Sequence, residues 1–435
     1  MTISSSLNAG VSGLAANATR LGTISDNIAN SSTSGYKRVE TDFSSMVMAS
    51  NGGGYTAGGV RTTTQRLVDQ SGALVGTTNA TDLAVRGNGF LPVAEATEVK
   101  AGAENPQMFL TSTGSFRVDA NGYLKTESGL MLLGWPASSD GTMPTYPRDS
   151  SSSLEPIQIN LNQFTSEPTT TITLGVNLPA TGTDSTATGD PVTQSVEYFD
   201  NLGRSENLTM TYTPTIPATG SSNEWTVVIS DSATDAASNP IGEYVVTFDS
   251  SSGSGGSILS VATTSGGTYD PLTGDLIVNV NGGPLEISIG EPGSNAGLTQ
   301  VGDRFQPLNI SKDGSPVGKM TTVEVDENGF VHAFFDTGIS KTIYQVPLVD
   351  VPNPNGMVAM DKQIYMVSPE SGSFFLWDAG DGPVGDVVPY AREESATDVA
   401  NELTAMIQTQ RAYSSNAKVI QTVDEMLQET TNIKR

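Results

Sequence analysis

The chain has 435 residues, a formal net charge of −26, only 16% charged residues, no cysteine and one histidine. No basic stripe is available to neutralise phosphates, which argues against a nucleic-acid partner and an anionic membrane surface. The lone His332 and the absence of Cys argue against zinc sites and histidine-dependent triads, so no metal or other cofactor is expected.

The length leaves room for two to four domains. Gly, Ser, Thr, Asn and Asp are abundant, a turn-rich β composition. A long chain without cysteine suits a protein that leaves the cell and uses no disulfides. Residues 1–10 are polar and hold no Lys or Arg, so no cleavable secretory signal is expected there. No run of eighteen apolar residues exists, so no membrane insertion is expected.

In chain order, the first element is a helix over 4–30, with Leu7, Val11, Leu14, Ala18, Leu21 and Ile28 stepping by 3, 4 or 7. Small polar residues and Gly35 end it. Rich in Ser and Asn, it has modest propensity, and both terminal segments are expected to be poorly ordered in an isolated subunit. Residues 37–80, punctuated by Asn51-Gly52-Gly53-Gly54 and Gly58-Gly59, read as an irregular arm. Strands are expected from about Leu83. Asp119-Ala120-Asn121-Gly122-Tyr123 between alternating runs is a hairpin signal, and it recurs as Asp326-Glu327-Asn328-Gly329-Phe330. Between the copies, Leu154 to Pro307 carries seventeen acidic residues against Arg204 and Arg304. Gly380 to Pro389 reads as a linker, followed by a helix near 395–435. There Val399, Leu403, Met406, Tyr413, Ala417, Ile420 and Leu427 form one stripe, with polar Gln410 and Asp424 in register.

These signals predict a mainly β chain with α-helical termini, its β-barrel or sandwich domains nested and its end helices coiled-coil-like. The division runs as follows: 1–30 with 396–435 as the helical part, 31–79 with 389–395 as the arm, 80–153 with 308–388 as an inner β domain, and 154–307 as an inserted outer domain of one or two sandwiches.

Chemistry is thinly represented. Paired carboxylates could hydrolyse glycosides, but Glu393-Glu394 and Asp424-Glu425 read as solvated pairs among 47 acids. The Asp-x-Asn-Gly turns lack the twelfth-position acid of a calcium loop, having Leu130 and Thr337 there. Gly87-Asn88-Gly89-Phe90 lacks the rest of a phosphate cradle and reads as a tight turn or bulge. The chain is not expected to be an enzyme.

The two terminal stripes could pair within one subunit, pack between subunits, or both. One narrow seam at about 25 cal/mol per Å² does not cover the ordering of about sixty residues at ~1–2 kcal/mol each, whereas packing against many copies does. A head-to-tail contact that does not close gives an open helical tube.

Ser12-Gly13-Leu14, Asp26-Asn27-Ile28-Ala29-Asn30 and Thr33-Ser34-Gly35-Tyr36-Lys37 resemble the signature of the bacterial flagellar rod and hook axial family. So do Asp82 through Phe90, Thr113-Gly114-Ser115-Phe116, Gly134-Trp135, and Glu402-Leu403 through Met426-Leu427. The large insert favours the hook branch over the distal rod. The resemblance implies a curved hollow tube that joins rod to filament as a universal joint, on the outside of the cell and exported through the flagellar type III apparatus. It implies copies of itself, the rod, a hook cap and hook–filament junction proteins as partners. The candidate assembly residues are Leu7, Val11, Leu14, Leu21, Ile28, Asn30, Leu403, Met406, Gln410, Tyr413, Ala417, Ile420 and Leu427. The alternatives are a distal rod subunit or, in another class, a secreted β-rich adhesin or glycan-acting protein.

Overall fold

The computed structural model describes residues 3–47, 57–101, 106–138, 140–160 and 164–433. A helix at each end, Ile3–Ala29 and Val399–Ile433, brackets a chain that is otherwise mainly β. Two compact units result. The first takes residues up to 160, 322–334 and 340–435, and the second takes 161–321 and 335–339.

The first unit is organised on the strand Leu130–Pro136, whose apolar run Leu-Met-Leu-Leu-Gly-Trp is buried on both faces. A strand covered on both sides cannot alternate, which is why this one reads as continuously apolar. It pairs antiparallel with Leu91–Glu95 and, further along, with Ser340–Gln345. Phe90, Leu110, Leu133, Trp135, Tyr365 and Leu376 pack into one core cluster beneath it. Trp135 also stacks on Tyr146 at 5.7 Å, and the Arg148 guanidinium lies 5.5 Å from its ring.

The repeated turn is built the same way twice. Asp119 Oδ1 accepts from the backbone N–H of Asn121 and Tyr123, and Asp326 Oδ1 accepts from those of Asn328 and Phe330. Gly122 and Gly329 sit at φ +88° and +80°, the left-handed region that a Cβ disfavours. These carboxylates are committed to turn amides. Among the described residues, no group of three His, Asp or Glu side chains is placed to hold a metal.

Three local expectations are corrected. The arm is not irregular throughout: Val39–Ser45 and Val60–Arg66 form a two-stranded antiparallel ribbon, so strands begin well before Leu83. Its Thr- and Arg-rich sequence carries little apolar alternation. The ribbon instead leans on the N-terminal helix through a Thr23–Thr41 hydroxyl contact of 3.0 Å and Arg20 over the Phe43 ring. The Asn51-Gly52-Gly53-Gly54 stretch lies outside the described residues. The presumed linker Gly380 to Pro389 ends in a strand, Asp386–Pro389, paired with Asp82–Arg86. The third correction is a short helix, Ala96–Lys100, that the sequence did not announce.

The second unit is one sandwich. Five consecutive antiparallel strands, from Val192–Phe199 to Ile258–Gly266, form one sheet. Thr171–Leu178 is central to the other. Alternate residues of both sheets share a single core, including Ile172, Leu174, Tyr198, Tyr212, Trp225, Val227, Tyr244 and Val246. Gln306–Lys312 runs antiparallel along Thr171–Leu178, so the unit continues past Pro307, where the acidic composition fades.

Asp82 opens its strand with Oδ1 accepting from Arg117, Ser115 and Asn79, each at 2.7 Å. Burial alone would raise this carboxyl. The hydrogen bonds from Arg117, Ser115 and Asn79 outweigh it and hold the pKa down at about 2. The folded value lies below the unfolded value of about 3.9, so the contribution is present above pH ~4 and is lost as the pH falls toward ~2. Asp82→Asn is expected to cost about 2 kcal/mol at neutral pH and to flatten the acid limb of thermal melts between those limits.

Candidate assembly interface

The two terminal helices pack antiparallel. Asn27 faces Glu402 at one end of the seam, and Gly10 faces Ile420 toward the other. The N-terminal helix buries Ser5, Gly10, Gly13, Ala16, Ile24 and Asn27, and of these Gly10, Gly13 and Asn27 meet the second helix. A Cβ at Gly13 would lie 2.8 Å from Asn416 Nδ2, and one at Gly10 would lie 3.0 Å from Ile420 Cγ1. The buried residues of the C-terminal helix are Glu402, Thr409 and Val423, spaced by sevens or multiples of seven, with half-buried Asn416 completing the series.

This seam is not the stripe that the apolar spacing suggested. Leu7, Leu14, Leu21, Ile28, Met406 and Ile420 are only half-buried, as is Asn30. Val11 is 51% exposed, Leu403 47% and Tyr413 41%, and Gln410, Ala417 and Leu427 are exposed too. The close glycine contacts bring Gly10 and Gly13 of the first helix against Ile420 and Asn416 of the second, while Val11, Leu403 and Tyr413 stay exposed. Ile407, Val419 and Met426 are exposed as well. They lie off the predicted stripe and widen the uncovered apolar surface. Their signal was simply three large apolar residues on a helix with no second core to receive them.

The polar side chains of both helices are largely satisfied by their own backbones. Ser12, Asn17, Thr19 and Thr23 donate to carbonyls three or four residues back. Thr404, Thr409, Ser415, Thr422 and Thr430 do the same in the C-terminal helix. Such hydroxyls need no water and can be packed against another surface at little cost.

The root of the pair is a buried charge cluster. Lys37 Nζ meets Glu393 Oε1 at 2.7 Å, and both side chains are 1% exposed. Lys37 also donates to the Gln70 carbonyl, and Gly72 N–H donates to the same Glu393 oxygen. Beside it, Glu402 accepts from Arg38 Nε at 2.6 Å and Asn27 Nδ2 at 3.1 Å. Asn27 in turn bonds both backbone groups of Val39. The reading of Glu393-Glu394 as a solvated pair is therefore wrong for Glu393, whereas Asp424 and Glu425 are exposed. The reason is a partner 356 residues away. Asp398 caps the C-terminal helix, accepting from the N–H of Ala400 and Asn401. The Tyr36 hydroxyl donates to Asp26 and Asn27. Burial, then the Asp26 carboxylate, pushes its pKa up to about 12. His332 lies on the strand Phe330–Phe335, 3.4 Å from Asp326, and belongs to no such cluster.

Paired terminal helices, the second capped by Asp398, bracket a mainly β chain. Family models agree at both ends: the flagella basal body rod protein model matches residues 7–37, and the flagellar basal body rod FlgEFG protein C-terminal model matches 390–433. The flagellar basal body protein FlaE D2 domain matches 176–315, within the second unit. The chain is 32% identical to the flagellar hook protein FlgE of Rhizobium meliloti and to that of Brucella suis, over the full length of each. It is 28% identical to the Salmonella typhimurium hook protein over 99% of this chain. A Helicobacter pylori FlgE2 structure overlays with a TM-score of 0.44 at 15% identity, covering 72% of this chain and 98% of that one. The chain belongs to the flagellar hook protein family and is a structural subunit of the hook. No helix among the described residues is long and apolar enough to cross a membrane.

Glu393→Ala strands a buried ammonium and is expected to cost about 3–5 kcal/mol in chemical denaturation of the first unit. Lys37→Met with Glu393→Leu should recover most of that loss. Gly22 has nothing within 4 Å of a Cβ, so Gly22→Ala should gain up to about 1 kcal/mol from helix propensity. Gly13→Leu should instead part the helices, read as faster proteolysis of both ends.

Proposed function

We propose that this subunit assembles into the curved hollow tube of the hook and acts as the universal joint that passes torque from rod to filament. The observation that carries the reading is the exposed apolar surface of the terminal helices, formed by Val11, Leu403, Ile407, Tyr413, Val419, Met426 and Leu427. An exposed apolar surface of this kind marks a site of protein–protein contact.

On this reading the helical part, 1–30 with 396–435, lines the tube wall around its channel. The arm 31–79 with 389–395 holds it, and the inner β domain and the outer one inserted in it, which runs on past Pro307, lie outside. Leu7, Val11, Leu14, Leu21, Ile28, Asn30, Leu403, Met406, Gln410, Tyr413, Ala417, Ile420 and Leu427 are the subunit-contact residues. Self-satisfied Ser and Thr hydroxyls let these helices be buried among neighbours without orphaned polar groups. Bending then requires several contacts of near-equal energy that repack between discrete arrangements. The partners are the rod, the hook cap and the hook–filament junction proteins. Export runs through the flagellar type III apparatus. The role is mechanical, not catalytic.

Electron microscopy of the purified full-length chain under assembly conditions tests this. The wild type should form tubes. Leu403→Asp and Leu14→Asp should abolish them while leaving the melting of the β units unchanged. A matching fall in melting temperature would assign these residues to the subunit core, and absence of any tube from the wild type would overturn the reading.

A further inference from the structure

The sequence holds six Asn-Gly pairs, and five of them lie among the described residues. In such a pair the glycine has no Cβ to hinder its own backbone nitrogen from reaching the side-chain amide carbon of the asparagine. Attack needs the peptide between the two residues to rotate toward a near-attack geometry, so a peptide held by hydrogen bonds resists it. Four of the five are held. The Asn88 carbonyl accepts from the Gly385 N–H, and the Asn121 carbonyl accepts from the Gln158 side chain at 2.9 Å. The N–H groups of Gly122, Gly329 and Gly356 donate to the carbonyls of Asp119, Asp326 and Asn353.

The fifth pair, Asn281-Gly282, forms the two-residue turn between the strands Asp275–Val280 and Gly283–Ser288, which meet through Val280 and Gly283. Asn281 is exposed. The peptide that joins it to Gly282 has neither its C=O nor its N–H in a hydrogen bond among the described residues, and the Asn281 side chain has no hydrogen-bond partner among them. The groups on either side are fixed instead. The Asn281 N–H donates to Asp231 Oδ2 at 3.3 Å, and the Gly282 carbonyl accepts from Asn201 Nδ2 at 2.7 Å. The turn is anchored at both ends and free in the middle.

We propose that Asn281 is a site of spontaneous covalent modification in the folded protein, through closure of a succinimide ring with Gly282. The Gly282 nitrogen, its proton lost to hydroxide, bonds to the side-chain amide carbon of Asn281, and the amide nitrogen leaves as ammonia. Water then opens the ring at either carbonyl, giving aspartate or its β-linked isomer. The only reactant besides the chain is water, and nothing is oxidised or reduced. Each conversion adds a negative charge to the residue whose N–H faces Asp231, a carboxylate that is 1% exposed and also accepts from the Tyr198 hydroxyl. The β-linked product also adds a carbon to the main chain of the turn. That turn closes the hairpin that supplies Leu276, Val278, Leu285 and Ile287 to the core of the second unit.

The test is peptide mass mapping of the full-length chain kept in mildly alkaline buffer. The segment containing Asn281 should gain the mass difference between Asn and Asp about tenfold or more faster than the segments containing Asn88, Asn121, Asn328 and Asn355. In denaturant that advantage should vanish, because every pair is then equally free. Gly282→Ala should slow the conversion about tenfold or more at unchanged thermal melting. Gly282 does not sit at positive φ, and a Cβ there would meet nothing nearer than the Asn201 side chain at 3.7 Å. Absence of conversion at Asn281 in the folded chain overturns the proposal, as does equal conversion at the other four pairs. The same preference surviving in denaturant would trace it to local sequence and overturn the structural account as well.

Discussion

The Lys37–Glu393 ion pair ties the two ends of the chain together. It joins the exit of the N-terminal helix to the last strand before the C-terminal helix, with Gln70 and Gly72 of the arm bonded to the same two side chains. Both groups are out of water, so each is tolerable only because the other is there. The pair is a weak source of net stability and a strong source of position. Two helices that are otherwise free to diverge leave the body side by side, and Arg38, Asn27 and Glu402 extend the same clamp into the first turn of the second helix.

From that root, the glycines decide which faces meet. Gly10 and Gly13 let the helices approach closely, and a close approach suits small residues. Leu403, Tyr413 and Met426 cannot enter such a seam and remain outside it. A soluble protein normally buries its largest apolar side chains first. Here the order is reversed, and the reversal is intelligible if the final burial takes place in an assembly of hook subunits.

The β units contribute differently. The second unit is a self-sufficient sandwich with its own core, which includes Trp225, Tyr212 and Tyr244. No residue of either terminal helix is in that core. The first unit is assembled from distant segments. Asp82–Arg86 is completed by Asp386–Pro389, and Leu74–Gly76 by Ala391–Glu393. Stability of the body and geometry of the helix root are therefore coupled through the same few strands.

The amino-acid sequence by itself determined the elements whose signal is local. The two terminal helices follow from 3.6-residue periodicity, the twin hairpins from Asp-x-Asn-Gly turns, and the mainly β body from composition. The signature residues at both ends were enough to indicate the axial family. Tertiary structure alone decided the rest. The ribbon Val39–Ser45 and Val60–Arg66 lacked alternation because its support comes from a helix and not from a sheet core. The strand Asp386–Pro389 was hidden in Gly- and Pro-rich sequence because its partner lies some three hundred residues earlier. The burial of Glu393, and the exposure of Leu403 and Tyr413, depend on what stands opposite them in space. Periodicity records which face of a helix is apolar. Which face its neighbour covers is set by the closest approach the small residues allow.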